Sequence, residues 1–243
     1  MTTSQRGSLA ERAAPYLDFV EGWLERLPAA SLEEIITTAG GPEHVAFVVV
    51  DLSVGFCHRG PLSSPRVAAI LAPAADLMSR AYAAGIRTFV LSQDAHRPDA
   101  QEFTSYPPHC VTGTDEARTA PELLALPFSD SFDLVETNSL ATTIAPGWEP
   151  WEAERGPFNA WVVIGDCTDL CVYQAAMALK LRSNAEHRGE RVIVPVDCVQ
   201  TFDLPVEQAL EAGAQPHDGD LMHAIFLHSM ASNGVDVVAT VSG

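Results

Sequence analysis

The chain has 243 residues, 47% hydrophobic and 19% charged, with a formal net charge of −18 at pH 7 and a single lysine, Lys180. That length suits one α/β domain with a full core, and the acidity excludes nucleic acid and anionic membrane surfaces, leaving a small molecule or another protein as partner. No apolar run is long enough to cross a membrane, Met1–Gly7 lacks the pattern of a leader peptide, and the five cysteines read as reduced thiols of a cytoplasmic protein.

Residues 1–44 are expected to form a helical arm. Leu9, Ala13, Tyr16, Leu17, Val20, Trp23, Leu24 and Leu27 share one helical face, and Ser31-Leu32-Glu33-Glu34 reads as a capping box opening a second, shorter helix. The apolar face suits packing on the chain's own domain or contact between copies in a homo-oligomer. Residues 45–243 form the main domain. Strand-like apolar runs fall at Val45–Val50, Ile86–Leu91, Phe132–Val135, Ala160–Ile164, Val192–Val196 and Val235–Val241. Helical patterns lie at Val67–Ala84, Leu170–Arg182, Pro205–Ala212 and Gly219–Ser232. Strands alternating with helices predict right-handed βαβ units: a three-layer α/β sandwich around a mostly parallel, Rossmann-like sheet of about six strands.

Ligands of such sheets bind beyond the carboxyl ends of the strands, and three chemically loaded segments sit there. Asp51 follows the first strand and is a plausible general base if a thiol comes near. Asp94-Ala95-His96 follows the second; alternate positions of an extended segment face one side. Glu102 and the run Tyr106-Pro107-Pro108-His109-Cys110-Val111 come next. Asp94, His96, Glu102 and His109 form a donor set suited to Zn²⁺, Fe²⁺ or Mn²⁺. The third segment, Gly165–Val172, turns from the fourth strand into a helix. A cysteine at that helix start meets unpaired N–H groups and the positive dipole end, so Cys171 is expected to have a lowered pKa and to act as nucleophile. Cys57, Cys167 and Cys198 are assigned to packing, Asp166 and Asp169 to the helix N-terminus, and Trp148, Trp151 and Trp161 to the core, with Pro146–Trp151 a candidate pocket wall. His58 is assigned a surface or loop role.

These motifs resemble the isochorismatase-like cysteine hydrolases, nicotinamidases in particular, over about residues 45–241. The carriers are Val48-Val49-Val50-Asp51 with Phe56, Asp94 and His96, Tyr106–Thr114, and Gly165-Asp166-Cys167-Thr168-Asp169-Leu170-Cys171-Val172. The resemblance implies hydrolysis of a small, nicotinamide-like carboxamide to acid and ammonia. Cys171 would attack with Asp51 as proton acceptor, a thioester would follow, and a divalent metal on Asp94, His96, Glu102 and His109 would orient the substrate. Phe56, Cys167 and Thr168 would contact the substrate or oxyanion, with backbone N–H groups at Cys171 and near Cys167.

One departure bears on that expectation. The family carries a lysine at the end of the third strand; here Glu136 or Thr137 takes the position, so both stand as candidates for the third catalytic residue. Loss of the cation is expected to raise the pKa values of Asp51 and Cys171. Ala95 replaces an aromatic of the family, reshaping one pocket wall. The alternatives are a metal- and ligand-binding homologue without turnover, or an isochorismatase-type hydrolase.

Overall fold

In the computed structural model the described residues are 7–243. Residues 1–6 of the expected arm, and with them the reading of Met1–Gly7, lie outside the described residues.

The chain opens with α1 (Leu9–Leu24), β1 (Ala30–Ser31), α2 (Leu32–Ala39) and β2 (Val45–Val50). Then come α3 (Val54–Cys57), α4 (Pro65–Ala68), α5 (Leu71–Ala83), β3 (Thr88–Asp94), α6 (Pro121–Leu124) and β4 (Asp133–Thr137). The second half runs α7 (Trp148–Arg155), β5 (Ala160–Asp166), α8 (Cys171–Ala185), β6 (Arg191–Pro195), β7 (Val199–Gln200), α9 (Val206–Ala212), α10 (Gly219–Ser232), β8 (Asp236–Val238) and β9 (Val241–Ser242).

The main sheet is parallel, in the order β4-β3-β2-β5-β6-β8, with β7 added to β5, giving seven strands where about six are expected. Helices cover both faces, so β2 is buried at every residue. Its side chains divide with period two: Val45, Phe47 and Val49 pack into one apolar layer with Leu77, Met78 and Phe89. Ala46, Val48 and Val50 pack into the other with Trp148, Trp161 and Val172. Each fully buried Val, Leu or Phe contributes about 1.5–3 kcal/mol of transfer free energy. Trp148, Trp151 and Trp161 are buried core residues, as expected; Pro146–Trp151 packs away from the cavity described below.

The chain moves from β2 outward through β3 to β4, then crosses back to place β5 on the other side of β2. The gap this reversal leaves is where α/β sheets bind ligands. Gly165 makes the crossing feasible: it pairs with Val50 at φ +119°, and a Cβ there would lie 1.9 Å from the Val50 carbonyl oxygen.

The arm is stitched into the domain. β1 pairs with β9 near the carboxyl terminus, and Ser31 caps α2 by accepting from Glu34 N–H at 3.1 Å. A reciprocal capping box forms instead at Ser8 and Glu11. The second half of α1 lies on α10, with Val20 buried and Trp23 and Leu24 against the core, while Leu9, Tyr16, Leu17 and Phe19 stay exposed.

Candidate active site

Asp51 leaves β2 with φ +52°, in the left-handed region that costs a non-glycine residue roughly 1–3 kcal/mol. Its N–H donates to the Ser92 carbonyl at 2.8 Å and its Oδ1 accepts from the Asp94 N–H at 2.8 Å. The carboxyl therefore turns into the gap between β2 and β5, where it faces the Cys171 thiol. Cys171 is the first residue of α8 and is buried. The cavity between them is narrow, about 30 Å³. Asp94, Glu102, His109, Asp166 and Cys167 line its polar side; Phe56, Leu62, Leu140, Leu170 and Phe202 line its apolar side. No lysine or arginine lines it among the described residues.

Burial, and next to it the charge of Asp94, pushes the Asp51 carboxyl well above the usual range. Burial and then the Asp51 charge push the Cys171 thiol well up too. The lowered thiol pKa expected at the start of the helix is thus overturned: desolvation and facing carboxylates outweigh the helix dipole.

Asp94 ends β3 and is fully buried. Its Oδ2 lies 3.1 Å from His96 Nε2 and 3.5 Å from His109 Nε2, and His96 Nε2 lies 3.7 Å from Glu102 Oε1. One donor atom from each of the four residues falls within 4.8 Å of all the others. The loop holding them is zipped together: His96 N–H donates to the Cys110 carbonyl, Thr112 N–H donates back to the His96 carbonyl, and both are 2.9 Å. His109 Nδ1 contacts the Pro107 carbonyl at 2.9 Å, which leaves Nε2 facing the cluster. Asp94 Oδ2, His96 Nε2 and Glu102 Oε1 are buried without a hydrogen-bond partner. Convergent, buried and unsatisfied nitrogen and oxygen donors are what a divalent cation completes, so the residues present fit one. Burial alone would raise Asp94, but contact with His109 and His96 and then with Thr137 holds it below the usual carboxylate range. Burial disfavours the His96 imidazolium, yet Asp94 and Glu102 raise its pKa on balance. Glu102 is raised, by burial and then by Asp94.

Of the two candidates at the end of β4, Thr137 is buried beside Asp94 and donates its hydroxyl to Asp94 Oδ1 at 2.7 Å. Glu136 is exposed on the opposite face, paired in register with Gln93, so it is removed from the candidate set. The strand's two-residue period separates them.

Phe56 lines the cavity, its ring centroid 5.6 Å from that of His109. Cys167 lines it as well, its thiol 3.6 Å from Asp166 Oδ2, so packing is not its whole setting. Thr168 does not reach the cavity. Its N–H donates to the Gln200 carbonyl at 3.0 Å and its hydroxyl lies 2.8 Å from His223 Nδ1 on α10, so its expected oxyanion role is corrected. Asp166 and Asp169 do not cap α8 either. Asp166 is buried in the cavity wall with its pKa raised by burial, and Asp169 pairs with His217 at 2.8 Å. His58 sits at the surface against Glu122, as expected.

The sequence pattern did not single out Leu62, Leu140, Phe202, His217 or His223. They come from loops and helices far along the chain and carry no local motif. Phe202 stacks on His217 at a centroid distance of 3.9 Å, which seats it as the cavity's far wall.

The chain is similar to several known proteins. The isochorismatase domain family matches residues 45–240. Nicotinamidase 1 of Arabidopsis thaliana is 30% identical over 213 residues, covering 82% of this chain and 86% of the plant protein. A cysteine hydrolase from Pseudomonas syringae pv. phaseolicola superposes with a TM-score of 0.66 at 19% identity, over 83% of this chain and 90% of that one. A pyrazinamidase/nicotinamidase from Streptococcus mutans does so with a TM-score of 0.61 at 18% identity, over 80% and 99%.

Proposed function

The chain belongs to the isochorismatase domain family, and from that premise we propose that it is a cysteine amidohydrolase acting on small, uncharged, nicotinamide-like carboxamides. The observation that carries this reading is the pairing of Asp51 with Cys171 across a cavity that also holds the Asp94, His96, Glu102 and His109 donors. Its likeness to the plant nicotinamidase supports the substrate class.

The chain's own residues suffice for the proton and acyl transfers. Asp51, its basicity raised by burial, accepts the Cys171 proton as the sulfur attacks the carboxamide carbon. Negative charge then develops on the carbonyl oxygen. The N–H groups of Cys171, at the start of α8, and of Cys167 are the donors assigned to it here, whereas the Thr168 N–H is spent on Gln200. Asp51 returns the proton to the departing nitrogen, releasing ammonia and leaving a thioester on Cys171. Water, deprotonated by Asp51, cleaves the thioester to the carboxylic acid and regenerates the thiol. Asp94, His96, Glu102 and His109 would hold a divalent ion; when bound, it supplies positive charge and a ligand position for a ring nitrogen or water. Phe56 and Phe202 offer apolar faces to a flat ring.

The cavity's character weighs between readings. An isochorismatase-type substrate brings carboxylates, and a cavity with Asp51, Asp94, Glu102 and Asp166 and no lysine or arginine repels them. A ligand-binding homologue without turnover is favoured by one observation: no lysine or arginine lines the cavity among the described residues, and the end of β4 presents Thr137 to it through Asp94. The test is ammonia release from a panel of small carboxamides, nicotinamide and pyrazinamide included, by metal-supplemented protein beside Cys171→Ala. Release lost in Cys171→Ala is expected. A folded, metal-bound protein that releases none from any amide overturns the proposal, and recovery in Thr137→Lys would then assign the loss to the missing cation.

A further inference from the structure

Thr137 carries a second consequence, which rests on the reading of the four donors as a metal site. Parallel register sets Thr137 directly beside Asp94, and the two side chains share the buried face at the sheet's carboxyl edge. The threonine hydroxyl has one proton, and it goes to Asp94 Oδ1 at 2.7 Å. The Asp94 carboxylate is thereby divided: Oδ1 is engaged, and Oδ2, buried and without a hydrogen-bond partner, points at His96 and His109. The Asp94 N–H meanwhile holds Asp51 Oδ1. One residue thus links the general base to the donor cluster, and its side-chain rotation is fixed from outside by a neutral hydroxyl.

We infer that Thr137 is a positioning residue of the metal site, holding Asp94 so that Oδ2 stays a free ligand. A carboxylate fixed in this way pays less ordering cost on binding a cation. Because the hydroxyl is uncharged, the full negative charge of Asp94 remains for the ion. In this chain the end of β4 therefore serves the cation site with a neutral side chain.

Calorimetric titration of the chelator-stripped full chain with Zn²⁺ tests this, with thermal unfolding of each apo protein recorded alongside. Thr137→Val and Thr137→Ala are expected to bind Zn²⁺ roughly 10–100-fold more weakly, the usual cost of losing an outer hydrogen bond to a ligand. Thr137→Ser, which keeps the hydroxyl, is expected within about threefold of wild type. The conservative rescue separates positioning from bulk packing, and the alanine variant covers a valine variant that fails to fold. Wild type that binds Zn²⁺ with the alanine variant equally tight overturns the role of Thr137 alone. So does a serine variant as weak as alanine. Wild type that binds no Zn²⁺ overturns the metal reading and this inference with it.

Discussion

Two sets of buried and half-buried histidines and carboxylates lie on either side of the cavity wall, and they are built to opposite ends. On the β3–β4 side, Asp94, His96 and Glu102 crowd together yet leave Oδ2, Nε2 and Oε1 without hydrogen-bond partners. On the β5–α10 side both nitrogens of His217 and Nδ1 of His223 are engaged. His217 places Nε2 on Asp169 at 2.8 Å and Nδ1 on the Phe202 carbonyl at 2.9 Å. Two acceptors require two donors, so His217 is the imidazolium; burial opposes that charge, but Asp169 and then the Phe202 carbonyl raise its pKa. His223 is the reverse, pushed down to about 4 by burial and then by Arg66, with Nδ1 sharing a hydrogen bond with the Thr168 hydroxyl at 2.8 Å. What separates the two sides is the state of the histidine nitrogens: both of His217 are hydrogen-bonded and neither of His96 is, although Asp166 and Asp169 each keep one buried oxygen, Oδ1, without a partner.

The sharpest way to break this comparison is to remove histidines from each side. Replacing His96 and His109 together with alanine is expected to weaken Zn²⁺ binding by about 100-fold or more. His217→Gln with His223→Gln is expected to leave metal stoichiometry unchanged. Elemental analysis after dialysis measures both, and equal metal loss from the two pairs would erase the distinction.

A smaller effect is expected from Asp169→Asn, which strands the His217 charge and should lower stability by about 1–3 kcal/mol in denaturant titration. Stability no lower than wild type would show that the clamp is not a clamp.

The pH dependence sharpens the contrast within that side. His217 has a raised folded pKa, so its contribution is full below about 6.5 and is lost as pH rises through the folded value. His223 has a depressed one, so its contribution is present above about 6.5 and is lost as pH falls toward about 4. The His217→Gln profile should therefore flatten on the alkaline side and the His223→Gln profile on the acid side. The opposite assignment would contradict the protonation states.

The smallest change is expected from Glu136→Ala: within about 0.5 kcal/mol in stability and no change in Zn²⁺ affinity, because the side chain is exposed and off the site. A marked effect on metal binding would return Glu136 to the candidate set.

The parallel sheet was legible in the chain because β2 and β5 are unbroken apolar runs, buried on both faces. Their site-facing ends were less so. Ile86–Leu91 reads as a strand, yet β3 is Thr88–Asp94, and the Phe132–Val135 run becomes Asp133–Thr137. In both, polar residues that apolar patterning discards are among those at the site: Ser92, whose carbonyl holds the Asp51 N–H, and Asp94, then Thr137. Val67–Ala84 reads as one helix and is two, α4 and α5, joined at Ile70. The four metal-type donors were legible because Asp94, His96 and His109 lie in two short motifs, with Glu102 between them. His217 and His223 were not, since their partners Asp169 and Thr168 lie 48 and 55 residues away. The Cys171 thiol was misjudged for a physical reason: a helix start read in isolation gives the dipole, and only the packed structure gives the desolvation and the facing Asp51 that outweigh it.

The central claim is that acyl transfer passes through Cys171. Hydroxylamine added during turnover of an amide substrate tests it most directly, because a thioester is intercepted as a hydroxamate. The account predicts hydroxamate formed at the expense of the free acid by wild type, and neither product from Cys171→Ala. Ammonia release that persists in Cys171→Ala, with the acid as sole product, would contradict it.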